Sequence, residues 1–124
     1  MSNCAKFLLG HFIMAAGVYN LTIEQGSTWQ LNLSVDSDNS GTDLDITNYT
    51  FSPKIAKSYY DESPVTMTYS ITSPTTGKVK LSLTAAQTAD LDPNIEYVWD
   101  CDMTSPASVT TRLLQGRATI SPGL

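Results

Sequence analysis

His11 is the only histidine of the chain and so the natural first candidate for a general base near neutral pH. It lies in an apolar N-terminal stretch, and no residue close to it in sequence would orient its ring. We therefore interpret it as a packing or interface residue. A nucleophile paired with a base, as hydrolases need, is not indicated.

Asp100 and Asp102 are the remaining pair of side chains that could act as acid and base. Their spacing of two places both on the same face of a strand, where the neighbouring pattern predicts a polar, solvated surface. We interpret them as surface carboxylates. The sequence thus predicts that the protein is not an enzyme.

Residues 36–41 (DSDNSG) match the opening of an EF-hand calcium loop, with Asp36, Asp38 and Ser40 at its first, third and fifth positions. The bidentate acid that should close such a loop falls at Thr47, and the flanking patterns indicate strands. An ordinary acidic turn is the preferred interpretation, and weak calcium binding stays open as the alternative. No other metal or cofactor motif occurs, so we expect no cofactor.

The charge of the chain argues against a nucleic-acid partner. Seven Lys and Arg residues are scattered among twelve acids, giving a net charge of −5 over 124 residues. Nucleic-acid binding requires clustered basic residues. The two cysteines, Cys4 and Cys101, have no metal-site spacing; Cys101 is expected to be a buried small hydrophobe, and a disulfide to Cys4 is the less favoured alternative.

Apolar and polar residues alternate with period two from residue 18 onward, which predicts strands. The two clearest runs place inward Trp29, Leu31, Leu33 and Val35 in the first and Ile95, Tyr97, Trp99, Cys101 and Met103 in the second. Further strands are predicted around residues 19–23, 50–57, 65–71, 79–83, 109–114 and 118–120. Pro53 belongs on an edge strand or at a bulge, and Gly116 allows a bulge or bend.

One short helical turn is predicted near residues 85–91, because Thr84 and Gln87 fit a capping box before Ala85 and Ala86. Seven or eight short strands with a single helical turn predict an all-β fold, a β-sandwich, with a barrel as the alternative. The length allows one domain. We divide the chain into an N-terminal arm, 1–17, and a sandwich domain, 18–124.

The arm is apolar, and its largest side chains are Leu8, Leu9, Phe12 and Ile13. It has some features of a secretory signal, but its apolar run is short and interrupted, and it is too short to span a bilayer. Two interpretations stay open. The arm could dock on a neighbouring subunit or on its own domain, or residues before Met14 could be an incidental extension.

Three tyrosines near loops, Tyr49, Tyr59 and Tyr60, are candidates for contact with a partner, although packing within loops is the favoured role. If the three rings formed one surface, they could stack on sugars. A host-glycan-binding module is therefore one alternative function.

Five stretches in a fixed order resemble a family of small virion proteins of tailed bacteriophages. They are residues 18–29 (VYNLTIEQGSTW), 43–49 (DLDITNY), 76–84 (TGKVKLSLT), 97–100 (YVWD) and 111–122 (TRLLQGRATISP). In particular, the chain looks like tail and baseplate proteins whose immunoglobulin-like domain resembles the N-terminal domain of baseplate upper proteins. The stretches cover most of residues 18–122, so the resemblance extends over the whole sandwich domain.

The resemblance implies an immunoglobulin-like β-sandwich of seven to eight antiparallel strands and a non-enzymatic virion component assembled in the host cytoplasm. Its partners would be other virion structural proteins and copies of itself in a symmetric assembly, with no nucleic acid and no membrane. The position implied is a tail, a baseplate or a fibre attachment. A capsid decoration or cement protein is the alternative within the virion.

Overall fold

The computed structural model describes residues 2–8, 17–36 and 44–123, and for residues 2–8 and Asp36 it describes the backbone only. Nearly all regular structure in these ranges is β-strand. The strands are β1 Ser2–Leu8, β2 Gly17–Val18, β3 Leu21–Glu24, β4 Trp29–Asp36, β5 Thr50–Ala56, β6 Val65–Thr66, β7 Thr68–Ser73, β8 Lys78–Leu83, β9 Tyr97–Thr104 and β10 Thr110–Ser121. One helix, α1 Ala85–Ala89, and a 3-10 turn, Pro74–Thr76, interrupt them.

The strands form two sheets. The first has the order β1-β4-β8-β7, and the second has the order β2-β10-β9-β5-β6, with β3 following β2 along the same edge of β10. Separate sheets with separate edges confirm the predicted all-β sandwich and exclude the barrel, and the strand order follows the arrangement of an immunoglobulin-like domain.

Three strand pairs are parallel, so the expectation of antiparallel strands throughout was wrong for them. They join β1 to β4, and β2 and β3 to β10. These strands are distant in sequence from their partners, and no hairpin fixes their relative direction. The N-terminal strands are therefore free to run alongside β4 and β10.

The core lies between the sheets and is built by the predicted alternation. The inward residues of β4 and β9 are buried, as are Phe51 and Ile55 of β5 and Ile46 before it. Cys101 is buried and free, as expected, and burial raises the pKa of its thiol to about 12. Such a thiol is protonated at neutral pH and packs as a small apolar group.

The predicted strand over residues 65–71 is divided at Met67, where the chain passes from one sheet to the other. The backbone N–H of Met67 donates to the carbonyl oxygen of Pro53 at 2.9 Å, and the Met67 side chain is buried. As a result, β6 pairs with only Lys54 and Ile55 of β5. Pro53 is paired with Cys101 of β9 on one side and has no ladder partner in β6 on the other. It therefore occupies an edge-like position, as expected for a proline.

Helix α1 begins at the predicted capping box. The Thr84 hydroxyl accepts from the Gln87 backbone N–H, and the Gln87 side chain accepts from that of Thr84. Thr88 is fully buried and joins the helix to the turn before β4: its hydroxyl donates to the Ser27 carbonyl at 2.8 Å and accepts from the Gly26 N–H at 3.0 Å. The helix therefore closes one end of the sandwich.

β10 is one long strand with one bulge. The sequence allowed a bulge or bend at Gly116, but the bulge lies elsewhere. The register against β9 shifts between Arg112 and Leu114, so Leu113 is the extra residue. Leu113 and Leu114 are consecutive and both buried, which changes the face that the strand presents to the core.

Gly116 has a different role, namely close approach of another strand. A Cβ there would lie 2.3 Å from the Tyr19 carbonyl oxygen. Tyr19 lies between β2 and β3, and its carbonyl accepts from Trp99 Nε1 at 2.7 Å while its N–H donates to the Gln115 carbonyl at 3.0 Å. The missing side chain lets the backbone near Tyr19 pass close to β10 and meet the Trp99 indole.

The N-terminal segment lies partly on this domain. The backbone of Ser2–Leu8 pairs with β4 from Ser2 opposite Gln30 to Leu8 opposite Asp36. The structure thus shows docking of this part of the arm on its own domain. The division into an arm, 1–17, and a domain, 18–124, stays a prediction.

Candidate interaction surfaces

The outer face of the second sheet carries a cluster of charges, which we name the charged face: Lys54, Asp100, Asp102 and Arg112. The strand register places Lys54 of β5 opposite Asp100 of β9, and Arg112 of β10 opposite Asp102. Arg112 reaches both carboxylates, with Nε 3.4 Å from Asp102 Oδ1 and Nη2 3.8 Å from Asp100 Oδ2. Two acids and two bases thus lie side by side.

Asp100 and Asp102 lie on the same outward face, as the spacing predicts, but they are less solvated than expected. Their side chains are 22% and 32% exposed. Burial raises the pKa of Asp100, the charge of Asp102 adds to the rise, and Arg112 and Lys54 oppose it. Arg112 therefore acts as the shared counter-ion of a surface ion-pair network.

The loop of residues 57–64, between β5 and β6, is organised by Asp61. Its carboxylate accepts from the backbone N–H of Ser63 at 2.9 Å and of Lys57 at 3.2 Å. These hydrogen bonds, the Ser63 bond first, lower the pKa of Asp61, and the charge of Lys57 adds to the effect. The loop holds Tyr59 and Tyr60 outward, with 58% and 93% of each residue exposed.

Tyr59 stands between two depressions. One, of about 140 Å³, is lined in part by Val98 and by Lys54 and Asp100 of the charged face. The other, of about 490 Å³, is lined in part by Val18 and by Glu96 and Arg117, whose side chains lie 3.4 Å apart. We name Val18, Tyr59, Tyr60, Glu96 and Arg117 the tyrosine surface.

The three candidate tyrosines do not share one surface. Tyr49 is half-buried and packs against the core just before β5, whereas Tyr59 and Tyr60 are exposed in the loop after β5. A single stacking platform for sugars, as the glycan hypothesis required, is therefore not formed. The loop tyrosines stay candidates for protein contact.

The other predicted residues lie mostly outside the described part of the chain. Leu9, His11, Phe12, Ile13, Asp38 and Ser40 are not described, and only the backbone of Leu8 and Asp36 is. Asp45, the first described acid after residues 36–41, accepts from the Thr47 hydroxyl and backbone N–H, and these bonds lower its pKa. Within residues 17–36 and 44–123, no three acidic, His or Cys side chains are grouped to hold a metal ion.

Four charged residues of these surfaces were not predicted from the sequence: Lys54, Arg112, Glu96 and Arg117. Lys54, Glu96 and Arg112 lie at polar positions of predicted strands, and Arg117 directly precedes one, so alternation could have placed all four on the surface. Which acid each basic residue faces depends on strand register, and the bulge at Leu113 shifts the register of β10 against β9 by one residue.

In the part of the chain that the structure describes, no helix is long and apolar enough to cross a membrane.

Comparisons with known proteins identify similar folds. No family model matches the chain, and no curated protein matches it. Among solved structures, the N-terminal domain of phage TP901-1 ORF48 is similar with a TM-score of 0.54 at 9% identity, covering 98% of this chain and 99% of that one.

Two further structures match with TM-scores below 0.5. The bradyzoite-specific antigen BSR4 of Toxoplasma gondii has a TM-score of 0.42 at 12% identity, over 98% of this chain and 50% of that one. The Listeria monocytogenes internalin-like protein lmo2027 has a TM-score of 0.35 at 11% identity, over 98% of this chain and 30% of that one. The match to the N-terminal domain of phage TP901-1 ORF48, with its TM-score above 0.5, is the one of these three that shows a similar fold.

Proposed function

We propose that this protein is a non-enzymatic structural component of a tailed-bacteriophage particle, located in the tail, the baseplate or a fibre attachment. It would act by holding neighbouring subunits through its surfaces. Its partners would be other virion proteins and further copies of itself, without nucleic acid or membrane, and it would be assembled in the host cytoplasm.

The observation that carries the proposal is the match to the N-terminal domain of the phage protein TP901-1 ORF48. It covers 98% of this chain and 99% of that domain, so the similarity extends over nearly the whole of both chains. Fold alone does not determine function. The order of sequence stretches that resembles baseplate proteins points to the same class independently of the fold match.

The exposed surfaces suit protein contact. The tyrosine surface combines large amphipathic rings with the pair formed by Glu96 and Arg117, and interfaces are enriched in Tyr and Arg. The charged face has both signs of charge already paired, so it can set the register of a partner without strong repulsion between copies. Many such modest contacts, repeated by symmetry, hold an assembly together.

The arm provides a further contact in this proposal. Leu9, Phe12 and Ile13, which follow the part that pairs with β4, would pack on a neighbouring subunit, since apolar side chains of this size gain stability when removed from water.

Fractionation of the particle tests the proposal. Particles made by the strain that encodes the chain are separated into heads and tails, and each fraction is analysed by quantitative mass spectrometry. We expect the protein in the tail fraction, in several copies per particle. Recovery with heads would establish the capsid-decoration alternative, and absence from both fractions would overturn the virion assignment.

A variant links the tyrosine surface to assembly. Tyr59→Ala combined with Tyr60→Ala is expected to reduce incorporation into particles while leaving the isolated domain folded, because both rings are exposed. Thr119→Ala, at an exposed position outside this loop, on β10, is the control. Equal incorporation of both variants would exclude the loop tyrosines from the interface.

A further inference from the structure

The edges of the two sheets differ in their protection against pairing with another strand. β2 and β6 have two residues each, and β6 follows Pro64. β1 contains Lys6, and β3 ends at Glu24. Short length, proline and charge are the usual features that prevent edge-to-edge association.

β7 has none of these features along most of its length. Its six residues, Thr68–Ser73, contain neither a charge nor a proline. Among the described residues, β7 pairs with β8 only, so its other edge presents unpaired backbone groups. The register against β8 shifts between Ile71 and Ser73, so Thr72 is an extra residue in the pairing with β8.

The sequence of β7 is self-complementary. Polar Thr68, Ser70 and Thr72 are exposed, and Tyr69 and Ile71 face the core but remain half-buried at the rim of the sandwich. In an antiparallel pair of two identical strands centred on Ser70, Thr68 lies opposite Thr72 and Tyr69 lies opposite Ile71. Pairs of Thr with Thr, and of an aromatic with a β-branched residue, are favourable cross-strand pairs.

We propose that the β7 edge is a self-association surface whose partner is β7 of a second copy of this chain. The contact is antiparallel, with a two-fold axis at Ser70, and it joins two four-stranded sheets into one continuous sheet. The proposal goes beyond a role in a virion and holds for the isolated domain. Because the edge is short, we expect a weak dimer, with Kd between about 10 µM and 1 mM.

Sedimentation equilibrium over a range of concentrations tests the contact. Ser70→Lys places two like charges directly opposite each other across the axis, and is expected to weaken self-association by at least about tenfold. Thr119→Lys makes the same charge change at an exposed position of β10, which has strands on both sides, and is expected to leave association unchanged. A monomeric parent protein at about 1 mM, or equal effects of both variants, would overturn the proposal.

Oxidative cross-linking tests the register. Residues directly opposite in an antiparallel pair have Cα atoms roughly 4.5–5.5 Å apart, within the range of a disulfide. In a Cys4→Ser background, Ser70→Cys should form a covalent dimer at least about tenfold faster than Thr119→Cys. Cys101 is buried and does not compete. Equal rates would show that Ser70 does not lie on a two-fold axis and would overturn the proposed pairing.

Discussion

The two sheets differ in how completely their polar groups are paired. In the second sheet, Trp99 Nε1 donates to the Tyr19 carbonyl, and the Asn20 side chain accepts from the Arg117 backbone N–H at 3.0 Å. In the first sheet, Trp29 Nε1 is buried without a partner among the described residues, and the edge of β7 is open. Both sheets carry an inward tryptophan, but only one indole N–H is satisfied there.

The two sheets therefore differ at their edges. One edge of β10 is occupied by β2 and β3, whereas the outer edge of β7 has no neighbouring strand among the described residues. Between the short ladders that β2 and β3 form with β10, the Trp99 indole donates to the Tyr19 carbonyl and the Asn20 side chain accepts from the Arg117 N–H, so this edge of β10 is already occupied. Around β7, the backbone groups of the edge would gain partners from a new strand.

The largest effect is expected for Gly116→Ala. The new Cβ would lie 2.3 Å from the Tyr19 carbonyl oxygen and 2.9 Å from its carbon, so β2 and β3 must move away from β10. We expect a loss of about 3 kcal/mol in the free energy of unfolding, measured by urea denaturation. Thr119→Ala on the exposed face of the same strand should change it by less than about 0.5 kcal/mol. Similar losses for the two variants would contradict the close approach.

The two tryptophans provide the next comparison. Trp99→Phe and Trp29→Phe remove the same atoms from buried sites, but only the first breaks a hydrogen bond and leaves the Tyr19 carbonyl without its indole donor. Trp99→Phe should therefore cost about 1–2 kcal/mol more than Trp29→Phe. The same denaturation curves measure the difference, and an equal or reversed order would show that the pairing of the two indoles is wrongly assigned.

Asn20→Ala is expected to have a smaller effect. It removes the oxygen that accepts from the Arg117 N–H between β2 and β3, at a largely exposed site. A loss of about 1 kcal/mol is expected. Ser70→Ala, at an exposed position of the open edge, is the counterpart and should lie within about 0.5 kcal/mol of the parent protein. If Ser70→Ala cost more than Asn20→Ala, the contrast between the two edges would be lost.

The smallest effect concerns pH. Burial raises the pKa of Asp100 in the folded state, so the folded protein binds more protons than the unfolded one between the two values, and stability falls as pH rises through that range. Asp45 and Asp61 have lowered pKa values and the opposite slope: their contribution is present above the unfolded value and is lost as pH falls through the folded one.

Carboxyl-carbon NMR titration checks this order. Asp100 should deprotonate at higher pH than Asp45 and Asp61. Arg112→Gln should raise the pKa of Asp100 further, because Arg112 opposes the rise. Titration of Asp100 below Asp61, or no response to the Arg112 substitution, would contradict the geometry of the charged face.

Much of the fold follows from the sequence because alternation reports burial directly. The inward residues of β4 and β9 and the capping box at Thr84 were predicted correctly. Pairing between distant segments leaves no local signal: neither the parallel partner of β3 nor the passage of Met67 between sheets could be predicted. The bulge at Leu113 was missed because Gly116, the residue that usually marks one, is needed for close approach.

The candidate surfaces were predicted only in part for the same reason. Tyr59 and Tyr60 were identified by residue type, and Asp100 and Asp102 by spacing. The role of Arg112 between the two carboxylates depends on register across a hairpin that contains the bulge. The open edge of β7 depends on the order of strands in the sheet, which the residues of β7 do not encode by themselves.

Imaging of the intact particle by electron cryomicroscopy at residue resolution tests the central claim most directly, namely that this domain functions through its surfaces in a phage tail. We expect several symmetry-related copies of the sandwich in the tail or baseplate, with the tyrosine surface buried against neighbouring subunits. A particle in which no density fits the sandwich, or in which every copy leaves the tyrosine surface exposed to solvent, would contradict it.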